Sequence, residues 1–324
     1  MNYILRRLGF YVIAFWAALT INFFLPRMLP GDPASTILGA NPSLQPGQIE
    51  ALRQALGFTN DNLLGQYWTY LTHAVRGDFG VSYSFFPAPV TTVISNGLVW
   101  TLLLGFISLL IAFLLGNLLG VVGSWRRGGP VDTIVPPLLI FLGAFPPFFL
   151  ALSALFVLGL KLGWFPTSHA FDDILRPGWS LEFIGSVIQH MFVPALVIVL
   201  VSIGGWALGM RNVMVGVLAE DYITMAEAKG LKQNRIMFWY AARNALLPGI
   251  TGFGIALGFV LSGQILIEQV FAYPGLGFLL VSAVGTRDYP LMQGLFLMIT
   301  TAVLAANFIV DILYTRLDPR VRAG

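Results

Sequence analysis

DYITMAEAKGLKQNRIMFWYAARNALLP, residues 221–248, carries Lys229, Lys232, Arg235 and Arg243 in the second half of a very apolar chain. Apolar runs too long for ordinary core helices lie on both sides of it. Ala219–Lys229 favours helix, with Glu220, Asp221 and Glu227 toward its start and Lys229 at its end, the polarity that suits a helix dipole. Gly230 breaks the pattern. Lys232–Leu246 resumes it before Pro248 opens the next apolar run. Two short helices joined at a glycine predict a compact knuckle at a membrane surface. Ile223, Met225 and Leu231 would be costly to leave exposed, so a partner surface is expected to cover them, with a self-packed membrane-surface loop as the alternative.

The 324 residues are 57% hydrophobic and only 10% charged, with a mean hydropathy of +0.80. About 25% charged residues is usual for soluble domains, so this chain must use lipid as part of its solvent. The absence of Cys excludes disulfides, thiol catalysis and Cys-ligated metals. A formal charge of +3 argues against nucleic-acid binding.

Six stretches reach the roughly 20 apolar residues that cross a bilayer core. They are Leu8–Leu29, Leu98–Gly123, Asp132–Leu160, Val187–Met210, Gly249–Val270 and Leu291–Tyr314. The first begins like a signal peptide but runs on to Leu25 without a small-x-small cleavage site, so it is expected to stay as a span. Placing the N-terminus in the cytoplasm puts 12 of the 18 Lys and Arg residues inside. These are Arg6, Arg7, Arg126, Arg127, Arg211, Lys229, Lys232, Arg235, Arg243, Arg316, Arg320 and Arg322. Asp32, Glu50, Asp61, Asp78, Asp172, Asp173, Glu182, Glu268 and Asp288 fall outside or near that face. The positive-inside rule therefore predicts an all-α membrane protein of six transmembrane helices with both termini cytoplasmic.

Residues 1–29 form the cytoplasmic end and first span. Residues 30–97 form an extracytoplasmic cap region, with short helices expected at Gln48–Gly57 and Asp61–Arg76; the cap is a structural lid or a contact for an extracytoplasmic partner. Residues 98–314 form a five-helix core containing the 219–248 loop, and 315–324 form a cytoplasmic tail. In the third span Pro136, Pro137, Pro146 and Pro147 predict a kink or break near Ala144–Pro147, serving either packing or a lined pathway. Gln264 and Glu268 join Pro146 and Pro147 as candidate pathway residues. Asn117, Ser153, Ser202, Thr251, Ser262, Gln293 and Asn307 either face a path or tie helices together.

His73, His169 and His190 are scattered, so no metal site is expected. No catalytic constellation stands out, and no GxxxxGK[ST] phosphate loop is present. Glu268 and Asp311 are the main carboxylates available to a proton- or sodium-coupled transporter, and both sit toward span ends. The residues describe a pore without its own energy source.

At this point the chain resembles the binding-protein-dependent ABC importer permeases, within them the dipeptide/oligopeptide/nickel transport group. The knuckle is similar to that family's EAA loop, with AEAKG at 226–230 as its core. Other carriers of the resemblance are ILRRLGF at the N-terminus, LPGDPA (29–34), ALRQALGF (51–58), RGDFGVSY (76–83), FPPFFLAL (145–152) and EDYITMAEAKGL (220–231). ARNALLP (242–248), IEQVFAYPGLG (267–277), RDYPLMQG (287–294) and DPRVR (318–322) complete the set. Their order and spacing cover nearly the whole chain.

The resemblance implies a type I ABC importer permease fold and half of a translocation pathway. It implies a second homologous permease subunit, two ABC ATPase subunits that bind ATP and Mg, and an extracytoplasmic solute-binding protein. The ATPase-coupling set would be Asp221, Thr224, Met225, Ala226, Glu227, Ala228, Lys229, Gly230 and Leu231. Thr224 stands where many relatives have Glu, so Glu227 or Glu220 is the candidate contact in its place. The implied cargo is a di- or oligopeptide, with oligosaccharide, nickel and glutathione as alternatives. A stand-alone secondary transporter and a membrane-embedded enzyme are the competing classes; the first predicts midplane carboxylates and an internal repeat, the second a clustered catalytic set.

Overall fold

The computed structural model describes residues 2–28, 62–260 and 264–317. The helix expected at Gln48–Gly57 and the DPRVR tail lie outside them. Secondary structure among the described residues is helical apart from a lone bridge between Val81 and Pro89. In chain order the helices are α1 (Asn2–Met28), α2 (Leu63–Val75), α3 (Val90–Trp125) and α4 (Pro130–Gly143). Next come α5 (Pro147–Lys161), α6 (Leu181–Val217), α7 (Asp221–Ala228) and α8 (Gln233–Val260). The last three are α9 (Ile265–Val270), α10 (Leu276–Thr286) and α11 (Tyr289–Leu317).

Among the described residues five helices are long and apolar enough to cross a bilayer: Arg7–Leu25 within α1, then α3, α6, α8, and Tyr289–Ile309 within α11. The pair α4 and α5 meets the same test together, with a bend of 95° between its halves. That bend falls at Ala144–Pro146, where the expected break was placed. Pro146 is extended, as the residue before a proline tends to be, and Pro147 takes the first helical position of α5, where its missing N–H costs nothing. Pro136 and Pro137 behave differently and remain inside α4. Val135 and Leu139, which flank them, pack with Ala112 of α3 and Val199, Ile203 and Ala207 of α6, so neighbours hold the helix through the pair.

The fifth expected span needs correction. Gly249–Val270 is not one helix: Gln264 within it is not helical, its first part belongs to α8, described over Gln233–Val260, and Ile265–Val270 forms α9. Pro248 does not open a helix either; it lies inside α8. A bilayer offers no water to unpaired backbone groups, so losing one donor at Pro248 costs less than unwinding the turns around it.

The chain forms two compact units. Of the described residues, the first takes those up to Thr101, 264–265 and 274–317. Its core joins Val90, Val93 and Ile94 of α3 to Leu276, Leu279, Leu280 and Ala283 of α10 and to Leu291, Met292 and Leu295 of α11. Asp288 is fully buried and accepts hydrogen bonds from the Ser82 hydroxyl and the Ser84 amide. It also accepts from the Leu291 amide at 3.1 Å, which makes it the N-cap of α11. On α2, Tyr67 and Tyr70 face α1 and bond Thr20 and Asn22 at 2.7 and 3.1 Å. Leu63, Leu64 and Trp68 of α2 are exposed.

The second unit takes residues 102–260 and 266–273. The 37-residue α6 is its axis, and α4, α5 and α8 all pack on it. Gly116 and Gly120, one turn apart on α3, let that helix meet α6 at backbone distance. A Cβ at Gly120 would lie 2.6 Å from the Ala207 carbonyl oxygen and 2.7 Å from Met210 Cβ. Small residues at this spacing are the usual way that membrane helices approach closely. Asn117 and Thr251, expected to line a path or tie helices, donate instead to Phe113 and Leu247 of their own helices, at 2.6 and 3.4 Å.

Candidate functional site: the α6–α7–α8 knuckle

An eight-residue helix is too short to be stable alone in water. Two features hold α7. The first is its C-terminal closure. Lys229 caps the helix, and Gly230 follows at φ +70°. The Gly230 amide donates to the Glu227 carbonyl at 2.8 Å, and the Leu231 amide to the Ala226 carbonyl at 3.3 Å. This pair of bonds is the Schellman closure, which needs a left-handed residue at the position Gly230 occupies.

The second feature is burial. Ile223 and Ala226, three residues apart, face inward and are 3% exposed each. They join Val121 of α3, Met210 and Met214 of α6, and Ile236, Met237, Ala241 and Ala245 of α8 in one core, with Leu231 packed against it. Burying the Ile223 side chain contributes about 2 kcal/mol on the usual area scale. Asn244 of α8 adds a 3.0 Å hydrogen bond to the Tyr222 hydroxyl.

These contacts correct one expectation. Ile223 and Leu231 need no partner surface, because their own chain covers them. The outward face is another set. Asp221, Thr224, Met225, Glu227, Ala228, Lys229 and Gly230 are exposed, and Met225 is 59% exposed. Of the nine residues expected to couple, seven thus share an open face, while Ala226 and Leu231 seat the helix. Glu220 is exposed directly before α7, so it and Glu227 both sit beside Thr224 on accessible surface. The knuckle is both self-packed and open to a partner, with the two roles divided between faces.

The knuckle is wired to α3, α4 and α6 as well. Asp132 at the start of α4 accepts from Arg211 Nε of α6 at 2.6 Å and from the Gly128 amide at 3.0 Å. Arg127 donates to the Val215 carbonyl at 3.1 Å. Neither link was legible beforehand, since Asp132 and Arg211 are 79 residues apart. Charge segregates along the unit. Arg126, Arg127, Arg211 and the four cations of 221–248 gather where α3, α6 and α7 meet, whereas Asp172, Asp173 and Glu182 lie at the other end of α6. At 1.5 Å per residue Arg211 and Glu182 are about 44 Å apart along α6, more than a bilayer core.

The candidate pathway residues do not gather as the knuckle does. Pro146 is exposed and Pro147 half-buried at the α4–α5 break, where the rings of Phe141, Phe145 and Phe149 follow one another at 5.0 and 6.1 Å. Gln264 is exposed before α9. Glu268 is buried, at 1% exposed. Among the described residues no group of His, Asp and Glu is placed to hold a metal ion.

An apolar helical chain with a charged, self-seated knuckle between two of its spans is the outline of a transport permease, and its sequence places it in such a family. The chain belongs to the binding-protein-dependent transport system inner membrane components: that family matches residues 108–323, and its N-terminal companion family matches residues 1–110. It is therefore a multi-pass bacterial inner-membrane protein and a permease subunit of a binding-protein-dependent ABC importer. Among curated proteins it is 34% identical over 323 residues to the glutathione transport system permease protein GsiC of Escherichia coli (strain K12), covering 99% of each chain. The same identity and coverage hold for the GsiC proteins of Shigella flexneri serotype 5b and Salmonella choleraesuis (strain SC-B67).

Proposed function

We propose that this chain forms one half of the translocation pathway for short peptides delivered by a solute-binding protein, and that α7 is the helix through which partner ATPases drive it. The observation that carries the second point is the division of α7 into two faces. Its inner face is locked to α3, α6 and α8 by Ile223 and Ala226, while its outer face presents Asp221, Thr224, Met225, Glu227 and Lys229. A push on the outer face is transmitted as a rigid displacement, because packed cores do not deform continuously. ATP and Mg act on the partner ATPases, and this chain performs no covalent step. A second permease subunit completes the pathway, and both termini are cytoplasmic.

The absence of Cys makes a direct test clean. A single Met225→Cys variant in the assembled, active transporter should cross-link to an ATPase subunit through a short bifunctional reagent, while Trp179→Cys at the far end of α6 should not. Active transporter with no Met225 cross-link overturns the assignment.

Short peptides fit an importer whose family group handles them, and glutathione, itself a tripeptide, is the reading favoured by the names of the curated relatives. Binding measurements on the cognate solute-binding protein decide between them. Submillimolar affinity for ordinary di- to pentapeptides supports the first; binding confined to glutathione and its γ-glutamyl analogues selects the second.

A further inference from the structure

On the knuckle itself, Tyr222 of α7 and the first turns of α8 border an open groove of about 1210 Å³ that takes in none of the other exposed residues of α7. Its lining includes Lys232, Arg235 and Arg243 together with Phe238, Trp239 and Leu247, and it contains no carboxylate. Arg235, Trp239, Arg243 and Leu247 follow at four-residue intervals, so cationic and apolar side chains alternate along one wall. Trp239 is 70% exposed and Leu247 62% exposed, which leaves the apolar half of the groove uncovered.

We infer that this groove holds one anionic phospholipid of the surrounding leaflet. Three cations without an internal acid match a phosphodiester headgroup, and an exposed Trp flanked by Arg is the composition of a bilayer interface. Past Arg243 and Asn244 the exposed Leu247 and Ile250 carry the apolar side of the groove along α8, which is long and apolar enough to cross the membrane. The acyl chains therefore run along Leu247 and Ile250 while the phosphate lies between Lys232, Arg235 and Arg243. A free phosphate would satisfy the cations and leave Trp239 and Leu247 against water. The site rests on the membrane placement of α8 and not on the coupling role of α7; only the identity of the leaflet follows from the proposed orientation. A failed Met225 cross-link therefore leaves it standing.

The test uses the full transporter in nanodiscs carrying brominated phosphatidylglycerol or brominated phosphatidylcholine at equal density. The chain has 8 Trp, so the Trp239 signal is the difference from Trp239→Phe. Brominated phosphatidylglycerol should quench it more strongly than phosphatidylcholine, and Lys232→Gln, Arg235→Gln and Arg243→Gln should each lower that preference about fivefold, the weight of one cation at an anionic surface. Native mass spectrometry should show one fewer retained phosphatidylglycerol per chain in the triple variant. Equal quenching by the two lipids overturns the proposal, and so does a Trp239 that neither lipid quenches because a partner subunit covers it.

Discussion

Gly230 sets how α7 meets α8. Its φ of +70° is left-handed, and a Cβ there would meet no atom within 4 Å. Space is therefore not the constraint; backbone strain is, at roughly 1–2 kcal/mol for a residue with a side chain and more for a β-branched one. Gly230→Val should uncouple ATP hydrolysis from uptake or prevent assembly. Gly230→Asn should keep most of the coupling, because Asn tolerates the left-handed region. Uptake and ATPase rates measured together on both variants decide the point, and normal coupling in Gly230→Val would show the turn to be dispensable. Asp288 is the other residue with several duties. Asp288→Ala removes the cap of α11 and orphans the Ser82 and Ser84 donors, at roughly 3 kcal/mol in total. Its thermal unfolding in detergent should fall well below that of Asp288→Asn, which keeps an acceptor oxygen.

At the scale of elements, α6 carries the second unit, and glycine makes the contact with α3 possible. Gly116 and Gly120 place two backbones against each other, and the knuckle core begins one step further along, at Val121, Met210 and Met214. A displacement of α7 therefore reaches α3 and α6 through side chains that touch one another. Gly120→Leu puts a side chain where the Ala207 carbonyl oxygen stands. That variant should insert into the membrane yet lose substrate-stimulated ATPase activity, whereas Gly209→Leu, on a glycine of α6 with no atom near its Cβ position, should keep it. The two prolines of α4 and the two at the α4–α5 junction make the complementary point. The same dipeptide is helical where neighbours grip both sides of it and breaks the helix where the turn before it is free to extend.

At the scale of the whole molecule, the proposed coupling role requires one orientation of the second unit in the membrane. At the knuckle end of the second unit seven cations outnumber Asp132, Glu220, Asp221 and Glu227, whereas before and at the start of α6 Asp172, Asp173 and Glu182 outnumber Lys161 and Arg176. The proposed orientation, with the cation-rich end inside, makes the knuckle cytoplasmic. A membrane-impermeant maleimide should accordingly label Thr224→Cys only in inverted vesicles and Trp179→Cys only in intact spheroplasts. Labelling of Thr224→Cys from outside would reverse the topology and remove α7 from reach of any ATPase.

Much of this was legible in the chain itself. Span composition, the glycine between two helical stretches, the break near Ala144–Pro147 and the family resemblance all depend on local order, so they survive reading in one dimension. A run of 20 apolar residues has few alternatives to a membrane helix, and Gly230 has few alternatives to a turn. What could not be read were matters of who stands next to whom. Pro248 looked like a helix start, because the surroundings that keep a proline helical are not in its own sequence. Ile223 looked like a docking residue, because its neighbours Val121 and Met214 come from other helices. The Asp132–Arg211 pair and the uncovered Trp239 are of the same kind. Sequence alone determined that the chain is a membrane-embedded permease with a charged knuckle. Only the tertiary structure decided which face of that knuckle is core and which is free, since burial belongs to the packed assembly of helices and not to any one of them.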